Sequence, residues 1–496
     1  MNKNPTSKSD RVPLFEKASL GVGALSAFFG YAAVSVLAYP VYNMKLHVPA
    51  FWVGFALMVP RIWDAFTDPI MGKISDNCHS RFGRRKPFIV LGAVMMGVLF
   101  AFLWLVPQEW SDQAKIAYFI VMQITFFTFY TVFSVPYNAL TYEMTPDYNE
   151  RNRVMAFNAF FHKMGELLGG WMLPLATVLG IWALGAAARD EAGKPMLTMK
   201  GVHMMVWFIG ILIMAGMGSV PGLFVKERFK DKAKIQKKVK IFESAGQAFS
   251  SLPFLILVSI IVFNTLSGIL AMGIDQYLLV YFMNDGNESV GLIQKGLLTS
   301  GYGVIGFAAI PFITYLANKF GKKGSLYFVY GLMVFGGIMK WFIFTPGHPI
   351  INVSLGFASF KLDPVILIDP LLCGPMWVAV KIMLASMMAD ICDEDELKSG
   401  VRREGMYGAV FSWIEKMVVS LAYFATGAAL MFANFNPELG ANQAEGTFTR
   451  MRLFLAGGPA ITALFAIVAL YFYPLTAQRA AETRRKLEER RGQISI

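Results

Sequence analysis

Two aspartates one helical turn apart, Asp64 and Asp68, interrupt an apolar run of the chain, with Arg61 one turn before them. At a spacing of i, i+4 both carboxylates project from one face of a helix. Arg61, three residues before Asp64, can balance part of the charge. An ionisable side chain at bilayer depth costs about 2.5–3.5 kcal/mol or more, so each one there is a candidate for function. Two carboxylates held together away from water repel, and the repulsion is relieved when one takes a proton or both share a cation. Hard oxygen ligands of this kind suit Na⁺ or H⁺. The competing reading is an Arg–Asp pair that only pins this segment to a neighbour.

Other charges lie in apolar surroundings. Glu415 and Lys416 stand in the eleventh apolar run, and a buried lysine needs a carboxylate, for which the Asp64 and Asp68 pair is the best placed. Lys163 and Glu166, at i, i+3, can satisfy each other. Lys381 is in mid-run with no local partner, which favours a cavity-facing role. Asp275 and Lys340 lie near the ends of their runs and read as snorkelling side chains. Of the aromatics able to stack on a sugar ring, Tyr31, Trp63, Tyr137 and Trp377, Trp63 beside Asp64 is the strongest. No nucleophile–base arrangement, metal-spaced His/Cys cluster or phosphate loop is present. The expectation is therefore a protein that is not an enzyme and uses no cofactor beyond a coupling cation.

The elements that must position these residues are membrane helices. Of 496 residues 55% are hydrophobic and 16% charged, with a mean hydropathy of +0.50, whereas a soluble domain carries roughly a quarter charged residues. Twelve apolar runs, at about 18–44, 51–75, 87–107, 114–140, 154–184, 201–225, 253–283, 289–317, 325–345, 364–389, 405–434 and 450–475, each reach the ~20 residues a span needs. They divide six and six around Lys226–Lys240, which holds eight Lys or Arg. The predicted organisation is an N-terminal six-helix bundle over 1–225, a cytoplasmic linker over 226–250, a C-terminal bundle over 251–475 and a basic tail over 476–496. The net charge of +12 gathers in short loops after even-numbered runs and at both ends. That is the positive-inside pattern with both termini cytoplasmic, and no basic soluble module is left to bind nucleic acid.

The halves echo each other. Arg81-Phe82-Gly83-Arg84-Arg85 follows the second run and Lys319-Phe320-Gly321-Lys322-Lys323 the eighth; mixed-charge loops follow the fourth (Glu143 to Arg153) and the tenth (Asp390 to Glu404). Such a repeat describes an all-α polytopic protein of the major facilitator fold, with two bundles rocking in alternating access. Arg84, Arg85, Arg151 and Arg403, with Glu143 and Asp390, then read as a cytoplasmic gate; the alternative is that they only set topology.

The segment Arg61-Ile62-Trp63-Asp64-Ala65-Phe66-Thr67-Asp68-Pro69-Ile70-Met71-Gly72, with Arg81 to Pro87, Val135-Pro136-Tyr137, Glu143 to Asp147 and Ala389-Asp390 through Gly405, resembles the glycoside–pentoside–hexuronide:cation symporters. The resemblance implies cation-binding carboxylates at Asp64 and Asp68, further cation-site positions at Thr67, Thr131 and Lys416, and the cell (inner) membrane as location. It does not extend to the sugar-gripping charges, whose positions hold Phe28, Ser134, Asn138 and Ala159. The expected solute is therefore a sugar or glycoside of altered type, possibly acidic in view of Lys381 and Lys163, met by Trp63, Tyr31, Asn138, Lys381 and Lys163. Lysophospholipid carriers of the same superfamily also resemble the Asp64 segment and provide the alternative.

Overall fold

The structure is a computed structural model; it describes residues 11–491 apart from 79, 146, 191–192, 228–245, 247, 355–358 and 401–402. Most of the expected linker and the last five residues of the expected tail lie outside the described residues. The chain forms two compact units, one of residues 1–236, 286–296 and 436–442, the other of residues 237–285, 297–435 and 443–496.

The first unit is built on helices α1 (Leu14–Lys45), α2 (Ala50–Asn77), α3 (Lys86–Phe102), α4 (Asp112–Tyr142), α5 (Tyr148–Gly169), α6 (Met172–Leu184) and α7 (Met199–Phe224). Polar side chains start several of them. Ser111 accepts from the Ala114 amide, Asp147 from Glu150 and Thr198 from Gly201, each replacing a partner that a helix N-terminus lacks. Two prolines lie inside α2. Pro60 has no amide to give the Ala56 carbonyl, and Gln123 Nε2 of α4 donates to that carbonyl at 3.2 Å instead. This tie fixes the turn of α2 that precedes Arg61. α5 and α6 form one expected run bent by 51°. The break falls at Gly170 and Trp171, beside the helix-weakening Gly169.

The second unit contains α8 (Leu252–Phe282), most of α9 (Glu288–Ala308), α10 (Ile310–Ile343), α11 (Ile368–Ser399), α12 (Glu404–Phe432), α13 (Thr447–Tyr471) and α14 (Ala477–Arg491). Its core is a continuous apolar cluster including Phe254, Leu257, Tyr330, Met376, Met383, Tyr407 and Leu470. α10 joins the end of the eighth run to the ninth across a kink at Gly321, where φ is 72° and ψ 171°. A two-stranded antiparallel hairpin, β1 (Ile351–Ser354) with β2 (Ser359–Leu362), pairs Ile351 with Leu362 between α10 and α11; no strand is predicted there.

Every apolar run falls on a helix. Among the described residues eight spans are long and apolar enough to cross a membrane, nine if α5 and α6 count as one. α2 falls short through its own charges (Arg61, Asp64, Asp68, Lys73 and Asp76), α3 is 17 residues long, and α9 is not apolar enough to be counted. Two expectations need correction. The acidic segment after the tenth run is no loop: α11 continues through Asp390, Asp393, Glu394 and Glu396 to Ser399 and stops at Gly400. Asp275 and Lys340 do not snorkel, since both are buried, Lys340 against the fully buried Asp369.

Candidate functional site

The site starts from Arg61. Its guanidinium lies between two aromatic faces, 4.3 Å from the Tyr31 ring centroid on α1 and 4.4 Å from that of Phe127 on α4. Nη2 donates to the Tyr31 carbonyl at 2.5 Å, and Nη1 stands 3.6 Å from Asp64 Oδ2. A planar cation stacked on two rings keeps its charge while shedding water. Asp64 is 4% exposed, so its carboxylate is dry. At 3.6 Å Nη1 is beyond good hydrogen-bond range of Asp64 Oδ2.

One turn further along α2, half-buried Asp68 receives the Thr131 hydroxyl of α4 at 2.9 Å on Oδ1. Thr67 Oγ1 stands 3.4 Å from Thr131 Oγ1 and within 3.3 Å of the Trp63 carbonyl. Pro69 withdraws the amide that would have bonded the Ala65 carbonyl. Asp64, Asp68, Thr67 and Thr131 thus place two carboxylates and two hydroxyls along one interface of α2 and α4. This is a hard-oxygen set of the type that holds a small alkali cation or a proton.

Trp63 donates Nε1 to Thr128 Oγ1 at 2.9 Å, leaving much of its ring exposed. Tyr31 is likewise exposed on the side away from Arg61. Asn138 is exposed on α4. Lys163 is ion-paired with Glu166 at 2.8 Å and is half-buried. Phe28, which stands where the resembled family carries an acid, packs edge-on against His162 at 5.4 Å and against Gly165 and Gly169. In the second unit Lys381 is exposed on α11 and Lys416 half-buried on α12. Thr128 and Phe127 escape the sequence reading, although their spacing from Thr131 puts all three on one stripe of α4.

The expected gate residues fall into separate clusters. In the first unit Glu143 receives Arg85 at 2.5 Å and Arg84 at 3.1 Å, and Arg85 also reaches Asp76 at 3.1 Å. Arg151 turns instead to the Thr145 carbonyl. In the second unit Asp390 pairs with Lys322 at 2.7 Å, while Arg403 approaches Asp395 at 4.0 Å. Each basic Phe-Gly loop is therefore held by an acid of a later helix, Glu143 at the C-terminus of α4 and Asp390 within α11.

Glu227, which sequence reading does not single out, completes the first cluster. Its carboxylate accepts the backbone amides of Arg84, Arg85 and Lys86 at 2.8, 2.8 and 3.1 Å, at the N-terminus of α3. The cradle opens at Gly83, whose φ of 120° favours glycine and whose missing Cβ would stand 2.8 Å from Glu227 Oε1. A carboxylate on a helix N-terminus is worth about 1 kcal/mol. Glu227→Gln should therefore speed hydrogen exchange of these three amides by roughly fivefold to tenfold, as read by exchange mass spectrometry of the loop.

Fold and site together are those of a polytopic membrane transporter. The chain belongs to the family described as MFS/sugar transport protein, whose profile matches residues 19–477. Among its relatives, a provisionally named glycoside/cation symporter of Escherichia coli is 22% identical over 96% of this chain and 95% of its own. A provisionally named sulfoquinovose importer of Salmonella typhimurium is 24% identical over 95% and 92%. The sodium-dependent lysophosphatidylcholine symporter 1-B of Danio rerio is 22% identical over 89% and 83%. The fold is similar to that of the nucleoside transporter NupG, with a TM-score of 0.60 at 14% identity, covering 92% of this chain and all of that one.

Proposed function

We propose that the protein is a cation-coupled symporter of a sugar or glycoside, working by alternating access in the cell (inner) membrane with both termini in the cytoplasm. The reading rests above all on the partly buried oxygen cluster of α2 and α4 in a chain of the sugar-transport family. Na⁺ or H⁺ joins Asp64 and Asp68, with Thr67 and Thr131 as further oxygens. Neutralising the pair lowers the cost of closing the site over substrate. Binding coupling is reciprocal, so the solute raises cation affinity by the factor by which the cation raises the solute's. Arg84, Arg85, Glu143, Arg151, Asp390 and Arg403 serve as the cytoplasmic gate.

The solute in this proposal is acidic, met by Lys381 and Lys163 together with Trp63, Tyr31 and Asn138. The Salmonella relative is named for sulfoquinovose, and exposed Lys381 supplies a cation of the sign opposite to an acidic solute. Lys381→Ala should lower uptake of acidic glycosides about tenfold or more, the worth of a charge-assisted bond, while cation binding stays unchanged. Equal uptake of acidic and neutral glycosides by the variant and the parent would remove Lys381 from the site.

A second reading, carriage of a lysophospholipid, is favoured by the similarity to the Danio rerio symporter. Uptake into proteoliposomes of a labelled glycoside set against a labelled lysolipid separates the two. Ion-driven glycoside accumulation supports the first reading, and lysolipid transport without it supports the second.

A further inference from the structure

The repeated loop is built in the same way twice, and the two copies differ at one point. Each turns on a glycine of positive φ, 120° at Gly83 and 72° at Gly321. Gly83 precedes α3, and Gly321 marks the kink inside α10 at which a second helical stretch begins; the first amides of a helical stretch find no partner within it. In the first copy Glu227, three residues past the end of α7 at Phe224, fills the cradle. In the second, the residue three past the end of α13 at Tyr471 is Pro474, and the group over Gly321 is a methyl. A Cβ on Gly321 would lie 3.8 Å from Ala477 Cβ, where one on Gly83 meets a carboxylate oxygen.

What surrounds that position is a cavity of about 530 Å³ whose lining includes Phe320, Lys322, Lys323, Asp390 and Tyr473. Tyr473 is 2% exposed and its hydroxyl has no hydrogen-bond partner among the described residues, an arrangement folded proteins avoid because a buried donor left unmade is costly. Burial, followed by Asp390 and Glu394, pushes its proton loss far above the ordinary phenol range, so it remains a donor. Lys322 is held by Asp390, and Lys323 donates to the Tyr471 and Tyr473 carbonyls at 3.2 and 3.0 Å. The lining carries two cations, Lys322 and Lys323, against the one carboxylate of Asp390, which leaves a balance of one positive charge. Phe320, Tyr471 and Phe472 are exposed beside it, as aromatic residues are at a membrane–water boundary.

We propose that this cavity binds a phosphate-bearing anion, in the membrane the headgroup of an anionic phospholipid, which plays for the Gly321 loop the part Glu227 plays for the Gly83 loop. The anion meets the opening amides after Gly321, the Lys322 and Lys323 ammonium groups and the Tyr473 hydroxyl. This inference is independent of which solute is carried.

Native mass spectrometry of the full-length protein, with phosphatidylglycerol and phosphatidylcholine offered together, is the test, and inorganic phosphate is offered in a separate arm. One phosphatidylglycerol should be retained about tenfold over phosphatidylcholine, the strength of a charge-assisted contact set. Ala477→Glu, which brings a carboxylate to the cradle, should abolish the preference, and Tyr473→Phe should weaken it severalfold. If inorganic phosphate binds and the lipid does not, with the same response to both variants, the anion site stands and its ligand is soluble. The proposal fails if neither anion is preferred. It also fails if Tyr473→Phe and a folded Ala477→Glu, its unfolding temperature unchanged, bind as the parent does. Should Ala477→Glu not fold, Tyr473→Phe decides alone.

Discussion

Asp64→Asn should abolish ion-driven accumulation of solute in proteoliposomes while the protein still folds and inserts. The amide keeps the volume of the carboxylate in a site that is 4% exposed, and Arg61 keeps its Tyr31 carbonyl and both aromatic faces, so the local packing survives. The loss is one full negative charge on the cation. At about 4 Å and an effective dielectric near 20, a carboxylate and a monovalent cation attract by about 4 kcal/mol. At 1.4 kcal/mol per decade that is roughly a thousandfold in cation affinity. Asp68→Asn should act in the same direction and less strongly, because Asp68 is half-buried and its charge is already shared with the Thr131 hydroxyl. Ion-driven accumulation by Asp64→Asn within a few-fold of the parent would reduce the Arg61–Asp64 contact to a structural pin.

Lys340→Met should produce the largest loss of stability from a single side chain. Lys340 of α10, 4% exposed, lies 2.5 Å from the fully buried Asp369 of α11, and Tyr302 of α9 donates to the other carboxylate oxygen at 2.9 Å while receiving Lys340 at 3.3 Å. Removing one member leaves a charge in low dielectric without its counterion, which costs about 3–5 kcal/mol. Replacing both members by apolar residues of similar size is close to neutral. Thermal unfolding in detergent should therefore fall by roughly 5–10 °C for Lys340→Met and recover most of that in Lys340→Met with Asp369→Leu. A single variant as stable as the parent would mean that water reaches this cluster.

Part of this architecture is legible in the sequence, and the reasons are physical. Charge at i, i+4 within an apolar run leaves few solutions, so residue type and spacing alone reveal the Asp64 and Asp68 stripe. Its oxygen partner Thr131 enters only through the family resemblance, because contacts between α2 and α4 are not written in local spacing. The same blindness hides Thr128, the ring pair around Arg61 and the Lys340–Asp369 pair, whose members are 29 residues apart with a hairpin between them. Lys340 reads as a snorkelling residue because its depth follows from packing against α9 and α11. The end of α11 is misplaced for another reason: acidic residues end hydropathy without ending a helix, and Gly400 is the actual stop. The matched Phe-Gly loops announce a repeat, whereas Glu227 lies in a run of basic residues that reads as linker, and only the three amides it accepts identify it.

The central claim is that the acids of α2 bind the ion that drives transport. Equilibrium binding of ²²Na⁺ to the purified protein, with proton exchange followed by a pH indicator in the same sample, tests it directly. The account predicts saturable Na⁺ binding, or saturable proton uptake if the protein is proton-coupled, that tightens when glycoside is added and is lost in Asp64→Asn. Saturable binding that persists unchanged in Asp64→Asn and Asp68→Asn, or no ion binding at all in a protein that still transports, would contradict it.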